Sequence, residues 1–133
     1  MKPLYLNKQI KQLEEWTAER IGISPLLLME HAGIRVVEHI ETFYPGEPVT
    51  LICGPGNNGG DGFAIARILF LLGRDVLTLV LPHESSLKGE ARANFEILKN
   101  LQVPLVHLNP SQPLEPEWMK GRILVDCIFG TGF

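Results

Sequence analysis

The sequence predicts an α/β domain in which a mostly parallel sheet follows two leading helices. Helical periodicity comes first along the chain, apolar strands and amphipathic helices then alternate, and a glycine-rich turn follows the first strand. A length of 133 residues suits one domain, and 45% hydrophobic residues supply material for a core.

The two leading helices have recognisable start and stop signals. Asn7 is a candidate cap for a first amphipathic helix that ends near Gly22. Ser24 and Pro25 are a cap and first-turn pair for a second helix, which the residues after Tyr44 bring to an end. Apolar residues that recur every four positions predict the buried stripe of this second helix: Leu28, Ala32, Val36 and Ile40.

Strands and helices alternate from residue 49 onward. The predicted strands are 49–53, 76–81, 105–108 and 123–127, and the predicted helices are 61–72 and 88–101, with one short helical turn around Trp118. Parallel strands need crossover helices, and none follows the fourth strand before Phe133. We therefore expect a domain that is incomplete at its C-terminus.

Composition limits the classes of function. The 12 Lys and Arg residues against 15 Asp and Glu residues give a net charge of −3, which provides no broad positive field for nucleic acid or an anionic membrane. No signal peptide or membrane span is visible, so we expect a soluble cytoplasmic protein. Cys53 and Cys127 lie in apolar strands and are expected to be buried reduced thiols, with a bridge between them as the less favoured alternative.

The turn after the first strand has the composition of a phosphate-binding loop. Gly54, Gly56 and Gly59 match the G-x-G-x-x-G spacing between a strand and a helix. The segment 54–62 contains no Lys or Arg, so backbone N–H groups and the helix N-terminus would hold a phosphate. An ordinary dinucleotide site also needs an acidic residue about 20 positions later. Glu84 is the nearest candidate, and it lies later than that spacing.

The same turn carries polar side chains that a plain phosphate loop does not need. Asn57, Asn58 and Asp61 can donate and accept hydrogen bonds and offer oxygen atoms to a hard cation. The alternative is that both asparagines tolerate left-handed turn angles and that Asp61 caps the helix. Both interpretations stay open for Asp61, whereas the whole stretch favours a binding function.

A second glycine turn follows the fourth strand. Asp126 lies near the end of this strand and Gly130-Thr131-Gly132 comes after it, so both turns should open at the same edge of the sheet. A carboxylate buried in an apolar strand needs a cation or hydrogen-bond donors. Asp126 is therefore either linked to a ligand or bonded to backbone N–H groups of the neighbouring loop.

Three motifs together resemble one family. They are G-N-N-G-G-D-G at 56–62, V-D-C-I-F-G-T-G at 125–132 and L-M-E-H-A-G at 28–33. In order and spacing the chain resembles the NAD(P)H-hydrate epimerase family, the YjeF N-terminal domain, over essentially all of residues 1–133. The resemblance implies a Rossmann-like three-layer sandwich that interconverts the R and S forms of hydrated NADH and NADPH, a cofactor repair reaction.

The resemblance also implies roles for particular residues. The substrate would contact Asn57, Asn58, Gly59, Gly60, Asp61, Gly130, Thr131 and Gly132. A potassium ion would be held by Asn58 and Asp126. In the family the acid/base aspartate lies in a later Asp-x-Pro-Ser-Gly segment, which would fall beyond Phe133. We therefore expect weak binding or none from these 133 residues alone.

The resemblance leaves several alternatives open. The chain could be the front part of a bifunctional epimerase and dehydratase, or a noncatalytic binding module like related domains in RNA turnover. The net charge and the lack of a basic aromatic stripe disfavour RNA. The late position of Glu84 disfavours an ordinary NAD-dependent dehydrogenase. Homodimers are common in the family, which makes the two leading helices a candidate surface for a second subunit.

Overall fold

The computed structural model describes residues 4–109 and 111–130, and within them it shows one four-stranded parallel sheet covered by helices. The helices are α1 (Asn7–Trp16), α2 (Pro25–Phe43), α3 (Asn57–Leu71) and α4 (Gly89–Asn100). The strands are β1 (Val49–Cys53), β2 (Val76–Val80), β3 (Leu105–His107) and β4 (Ile123–Cys127). A π-helical turn (Thr17–Ile21) and two 3-10 turns (Glu84–Ser86 and Pro116–Trp118) complete the described elements. The predicted α/β class is confirmed.

The sheet has the strand order β3-β2-β1-β4. All three strand pairs are parallel, and Val49 of β1 stands opposite Val76 of β2 and Ile123 of β4. The chain moves outward from β1 to β3 and then returns to the other side of β1 for β4. The strand order therefore reverses between β1 and β4.

Helix α3 is the centre of the packing. It lies between α2 and α4 and contacts β1, β2 and β4. The largest fully buried side chains include Phe63 of α3, Phe95 of α4 and Leu51 of β1, and the two phenylalanine rings lie 5.2 Å apart between centroids. Burial of each such side chain contributes about 1.5–3 kcal/mol.

Helix α2 starts where the sequence predicts and buries a different stripe. The Ser24 hydroxyl accepts a hydrogen bond from the Leu27 N–H at 3.2 Å, and Pro25 opens the helix. Its buried residues are Met29, Gly33, Val37 and Ile40. The predicted stripe is therefore wrong by one position at Leu28, Ala32 and Val36 and correct at Ile40. Gly33, which has no apolar side chain to mark it as a core position, faces α3. A Cβ on Gly33 would lie 3.4 Å from the Cβ of Ala64.

Helix α1 is amphipathic, as predicted, but none of its residues is buried. Its cap is Leu6 and not Asn7, with the Leu6 N–H bonded to Oε1 of Gln9 at 2.8 Å. The chain turns away at Gly22, whose φ of 83° favours glycine. No helix within residues 4–109 and 111–130 combines the length and apolar character needed to cross a membrane.

Arginine side chains tie the chain together at the amino ends of the strands. Arg122 donates from Nε to the Thr50 hydroxyl at 2.7 Å and from Nη2 to the Val49 carbonyl at 3.1 Å. Its two Nη atoms also bind the Asp75 carboxylate at 3.0 and 3.1 Å, and this bond lowers the Asp75 pKa. Arg74 pairs with Glu41 and donates to two backbone carbonyls.

The predicted turn around Trp118 is confirmed, and it covers part of the sheet. The Trp118 carbonyl accepts a hydrogen bond from the Thr50 hydroxyl at 2.6 Å. Thr50 points to the opposite face from Val49 and Leu51, since strand side chains alternate. The connection before β4 therefore crosses the face of the sheet that α3 does not contact.

Candidate functional site

The site predicted from the two glycine turns lies at the carboxyl ends of β1 and β4. These strands are neighbours, and the strand order reverses between them. In open parallel sheets such a reversal creates a crevice at the carboxyl edge, and ligands bind there. The topology therefore gives the two turns a common location.

The two turns contact each other directly. The Gly54 N–H donates to the Cys127 carbonyl at 3.0 Å, and Nδ2 of Asn58 donates to the Phe129 carbonyl at 2.9 Å. A Cβ on Gly130 would lie 3.2 Å from the Cβ of Asn58. The predicted convergence holds up to Gly130. Thr131 and Gly132 lie outside the described residues, so their part in the site stays a prediction.

Helix α3 begins at Asn57, four residues before the predicted start at Asp61. Asn57, Asn58, Gly59 and Gly60 are thus helical, so the interpretation of both asparagines as left-handed turn residues is wrong. The interpretation of Asp61 as the helix cap is wrong as well, because Asp61 lies inside the helix. Gly56 is the N-cap, and no side chain caps the first turn. The first N–H groups of a helix have no intrahelical partner, so they remain directed at the crevice with the positive end of the helix dipole.

Three glycines of this segment, Gly54, Gly59 and Gly60, are required by close packing. A Cβ on Gly54 would overlap the Ile128 carbonyl, and one on Gly59 would overlap the Gly54 carbonyl. A Cβ on Gly60 would lie 2.9 Å from the Met29 sulfur. Helix α3 starts early despite its poor helix formers because these contacts with neighbouring backbone outweigh the intrinsic cost of glycine.

Gly62 lies above a pair of thiols at the ends of β1 and β4. A Cβ at this position would lie 2.6 Å from the Cys53 sulfur and 2.9 Å from the Cys127 Cβ. Both cysteines are buried and unbridged, which confirms the predicted reduced state. The hydrogen bond to Cys127 and burial raise the pKa of Cys53, so this thiol stays protonated.

The two asparagines serve different sides of the helix end. Asn58 contacts the turn after β4, whereas Asn57 lines a cavity of about 480 Å³ together with Asp61, one helical turn further on. The remaining wall comes from α1, the π-helical turn, the first half of α2 and Glu90 of α4. Sequence reasoning missed this contribution of the leading helices, because α1 shows no motif and only tertiary packing brings it to the site.

Asp61 is a partly buried acid with unusual protonation. Burial, and secondly the negative charge of Glu14 on α1, raise the pKa of Asp61 to about 6. No side chain in the described residues forms a hydrogen bond or ion pair with it. A carboxyl group with this pKa can both release and accept a proton near neutral pH, which suits acid/base work.

Asp126 differs from the expectation of a buried carboxylate, and that expectation is wrong. Its side chain is exposed, because β4 is the edge strand of the described sheet and Asp126 points away from α3. Its Oδ1 accepts the Ile128 N–H at 2.9 Å. The alternative interpretation places this hydrogen bond on the neighbouring loop. The structure instead places it on the turn that follows Asp126's own strand.

The oxygen atoms beside the turn after β4 suit a hard cation in kind. Asn58 uses Nδ2 for the Phe129 carbonyl, which leaves its amide oxygen as an acceptor. Asp126 uses one carboxylate oxygen for Ile128 and keeps the second. Amide and carboxylate oxygens are the donors that hard cations prefer. The residues present are therefore chemically compatible with potassium.

Glu84 is engaged elsewhere. Its carboxylate contacts Nζ of Lys99 at 2.8 Å and Nε2 of His107 at 3.3 Å, and the Lys99 bond is the main cause of its lowered pKa. These contacts occupy the acid that an ordinary dinucleotide site would use for ribose. The geometry thus agrees with the sequence argument against a plain dehydrogenase.

Comparison with known proteins identifies the family. The family model for the YjeF-related protein N-terminus matches residues 26–133. The chain belongs to this family.

Two curated relatives and one solved structure show the extent of the likeness. The NAD(P)H-hydrate epimerase of Limosilactobacillus fermentum is 34% identical over 126 residues, covering 93% of this chain and 57% of the relative. The bifunctional NAD(P)H-hydrate repair enzyme Nnr of Moorella thermoacetica is 36% identical over 132 residues, covering 94% of this chain and 25% of the relative. The crystal structure of yeast YNL200c superimposes with a TM-score of 0.80 at 27% identity, covering all of this chain and 58% of the yeast chain. The chain thus spans little more than half of the shorter relative and a quarter of the longer one.

Proposed function

We propose that residues 1–133 form most of the substrate site of an NAD(P)H-hydrate epimerase, an isomerase that repairs hydrated NADH and NADPH. The observation that supports this proposal is the contact between the start of α3 and the turn after β4, made by Asn58 and Phe129. It creates one crevice with free helix N–H groups for a pyrophosphate and polar side chains for the rest of a dinucleotide. The names of the relatives supply the substrate class.

The proposed substrate contacts are the residues of the two turns. They are Asn57, Asn58, Gly59, Gly60, Asp61 and Gly130, with Thr131 and Gly132 expected to continue the second turn. Potassium would be held by Asn58 and Asp126, and when bound it would supply positive charge beside the phosphates. We further propose a cytoplasmic location, which suits two reduced thiols, and a homodimer.

The reaction requires that the bond between the ring carbon and its hydroxyl is broken and then re-formed on the opposite face. A proton must reach the departing hydroxyl and be taken back when water returns. The family places an aspartate for this task in a later segment. Among the described residues, Asp61 lies at the site and has a pKa of about 6, so it can exchange a proton near neutral pH in addition to that aspartate.

The proposal is tested with the complete natural polypeptide that carries these residues. Hydrated NADPH of the R form is incubated with the protein, and the S form is followed by chromatography in potassium and in sodium buffers. We expect interconversion well above the protein-free rate, with potassium favoured and an Asn58→Ala variant strongly impaired. Binding without interconversion would instead support the noncatalytic module, and the lack of both would refute the proposal.

A further inference from the structure

We propose that the 480 Å³ cavity between α1 and the first turns of α2 and α3 receives the uncharged end of the dinucleotide, the hydrated nicotinamide ring with its ribose. The phosphates would then lie at the N-terminus of α3. This inference rests on the proposed function and adds to it, because it assigns the leading helices to the substrate site.

The cavity adjoins the helix end that would hold the phosphates. Asn57 is the first residue of α3 and Asp61 lies one turn later, and both line the cavity. A ligand whose pyrophosphate meets the first N–H groups of α3 can therefore continue into it. Its volume lies within the range of about 300–1,000 Å³ that small-molecule sites occupy.

The charge of the lining excludes phosphate from the cavity itself. Five acidic residues and one basic residue, Lys11, line it, and the acidic ones are Glu14, Glu15, Glu19, Asp61 and Glu90. None of these carboxylates forms an ion pair or side-chain hydrogen bond within the described parts of the chain. Uncompensated negative charge repels a phosphate and attracts groups that donate hydrogen bonds or carry positive charge.

The hydrated nicotinamide end matches this lining. It carries a ring hydroxyl, a carboxamide NH₂ group and two ribose hydroxyls, which can all donate to carboxylates. The ring could pack against an apolar wall of the cavity, which is formed by Pro25, Leu28, Met29 and Ala32. Positive charge develops on the ring as its carbon–oxygen bond loosens, and nearby carboxylates stabilise such charge.

The adenosine end is the competing occupant. In NADPH this end carries a ribose phosphate, which the acidic lining would reject, whereas the nicotinamide end is the same in both cofactors. The cavity chemistry therefore favours the nicotinamide end.

The experiment narrows the cavity with an Ala32→Phe substitution in the complete natural polypeptide. Ala32 is exposed on α2 and lines the cavity, so a larger side chain can be accommodated without disturbing the core. The matched control is Ile34→Phe, on the same helix, 37% exposed and outside the cavity lining. Thermal midpoints establish that both variants fold. Calorimetric titrations then measure binding of hydrated NADH, which has the ring, and of ADP, which lacks it.

We expect Ala32→Phe to weaken binding of hydrated NADH by about tenfold or more and to change ADP binding by less than about twofold. Ile34→Phe should change neither. A second variant, Glu14→Gln on the exposed α1 surface, should weaken the binding of hydrated NADH by about threefold and leave the binding of ADP unchanged. Unchanged binding of hydrated NADH by Ala32→Phe, or an equal loss for ADP, would overturn the cavity assignment while the proposed function stands. A parent protein that binds neither compound would overturn both.

Discussion

The two ends of the parallel strands are built in opposite ways. At the amino end, Arg122 and Arg74 bond with carboxylates and backbone carbonyls, and most of their donors have protein partners. At the carboxyl end, the start of α3 has no side-chain cap and Asp61 has no side-chain partner among the described residues. The first end is organised to hold the sheet together. The second leaves hydrogen-bonding groups that the described side chains do not use.

The largest effect is expected where the carboxyl end depends on tight backbone packing. Gly59→Ala should destabilise the fold by about 3 kcal/mol or more, because the new Cβ would overlap the Gly54 carbonyl. The gain of about 1 kcal/mol in helix propensity cannot offset this clash. Gly56→Ala is the matched control, since nothing lies within 4 Å of its Cβ position and its φ is negative; because Gly56 is the N-cap, this variant should still cost up to about 1 kcal/mol. Equal midpoints of urea unfolding for the two variants would contradict the packing argument.

At the amino end of the strands, Arg122→Ala should lower the free energy of unfolding by about 2 kcal/mol. The substitution removes charged donors from Thr50, Val49 and Asp75, and the side chain is only 13% exposed. Arg35→Ala, which breaks an ion pair on a side chain that is 80% exposed, should cost less than about 0.5 kcal/mol. Urea unfolding measures both.

The contact between Arg122 and Asp75 should make the stability depend on pH in the acid range. The folded-state pKa of Asp75 is lowered from its ordinary value of 3.8, so the stability that this carboxylate contributes is fully present above 3.8 and is lost as the pH falls through the lowered pKa. The difference between the parent protein and Arg122→Ala should therefore narrow in acid. A cost that stays constant from pH 7 to pH 3 would argue against the Asp75 contact.

Of the two asparagines, Asn58 should contribute more to the free energy of unfolding. Asn58→Ala should cost about 1 kcal/mol through loss of the bond to the Phe129 carbonyl. Asn57→Ala should cost less, since Asn57 lines the cavity and does not join the two turns. Thermal midpoints in potassium and in sodium buffers add a second comparison. If potassium raises the midpoint of the parent protein, Asn58→Ala should lose this increase and Asn57→Ala should keep it. Identical behaviour of the two variants would show that the contact between the turns is unimportant.

The smallest effect concerns the pH dependence from Asp61. Its folded-state pKa is raised from 3.8 to about 6, so between these values the folded protein retains a proton that the unfolded chain has lost. Stability should therefore fall as the pH rises through this window. Asp61→Asn should remove the decline and gain roughly 0.5–1 kcal/mol at pH 7, since solvent screens a partly exposed group. A parallel pH profile for the parent protein and this variant would contradict the raised pKa.

The sequence was sufficient for the features that depend on local pattern. The β1 and β4 strands, the Ser24 cap and the turn around Trp118 were all predicted, because apolar runs and capping residues act over a few positions. The shared edge of the two glycine turns followed from the rule for parallel strands.

Features that depend on tertiary contact were not predictable. The early start of α3 places Gly59 against the Gly54 carbonyl, and the buried stripe of α2 includes Gly33, so both features involve glycines that pack against another element. The exposure of Asp126 reflects the position of β4 at the edge of the described sheet. Likewise, only the packed structure brings Glu14 of α1 to Asp61.

The thiol pair beneath Gly62 provides a chemical probe of local opening at the ends of β1 and β4. Cys53 and Cys127 occupy matched positions on adjacent strands, where burial shields both and a raised pKa keeps Cys53 in its unreactive form. An alkylating reagent can modify them only during moments when the strand ends part. When reclosing is faster than alkylation, the labelling rate reports the fraction of molecules whose strand ends are open, and its slowing by an added compound would report binding without any assay of turnover.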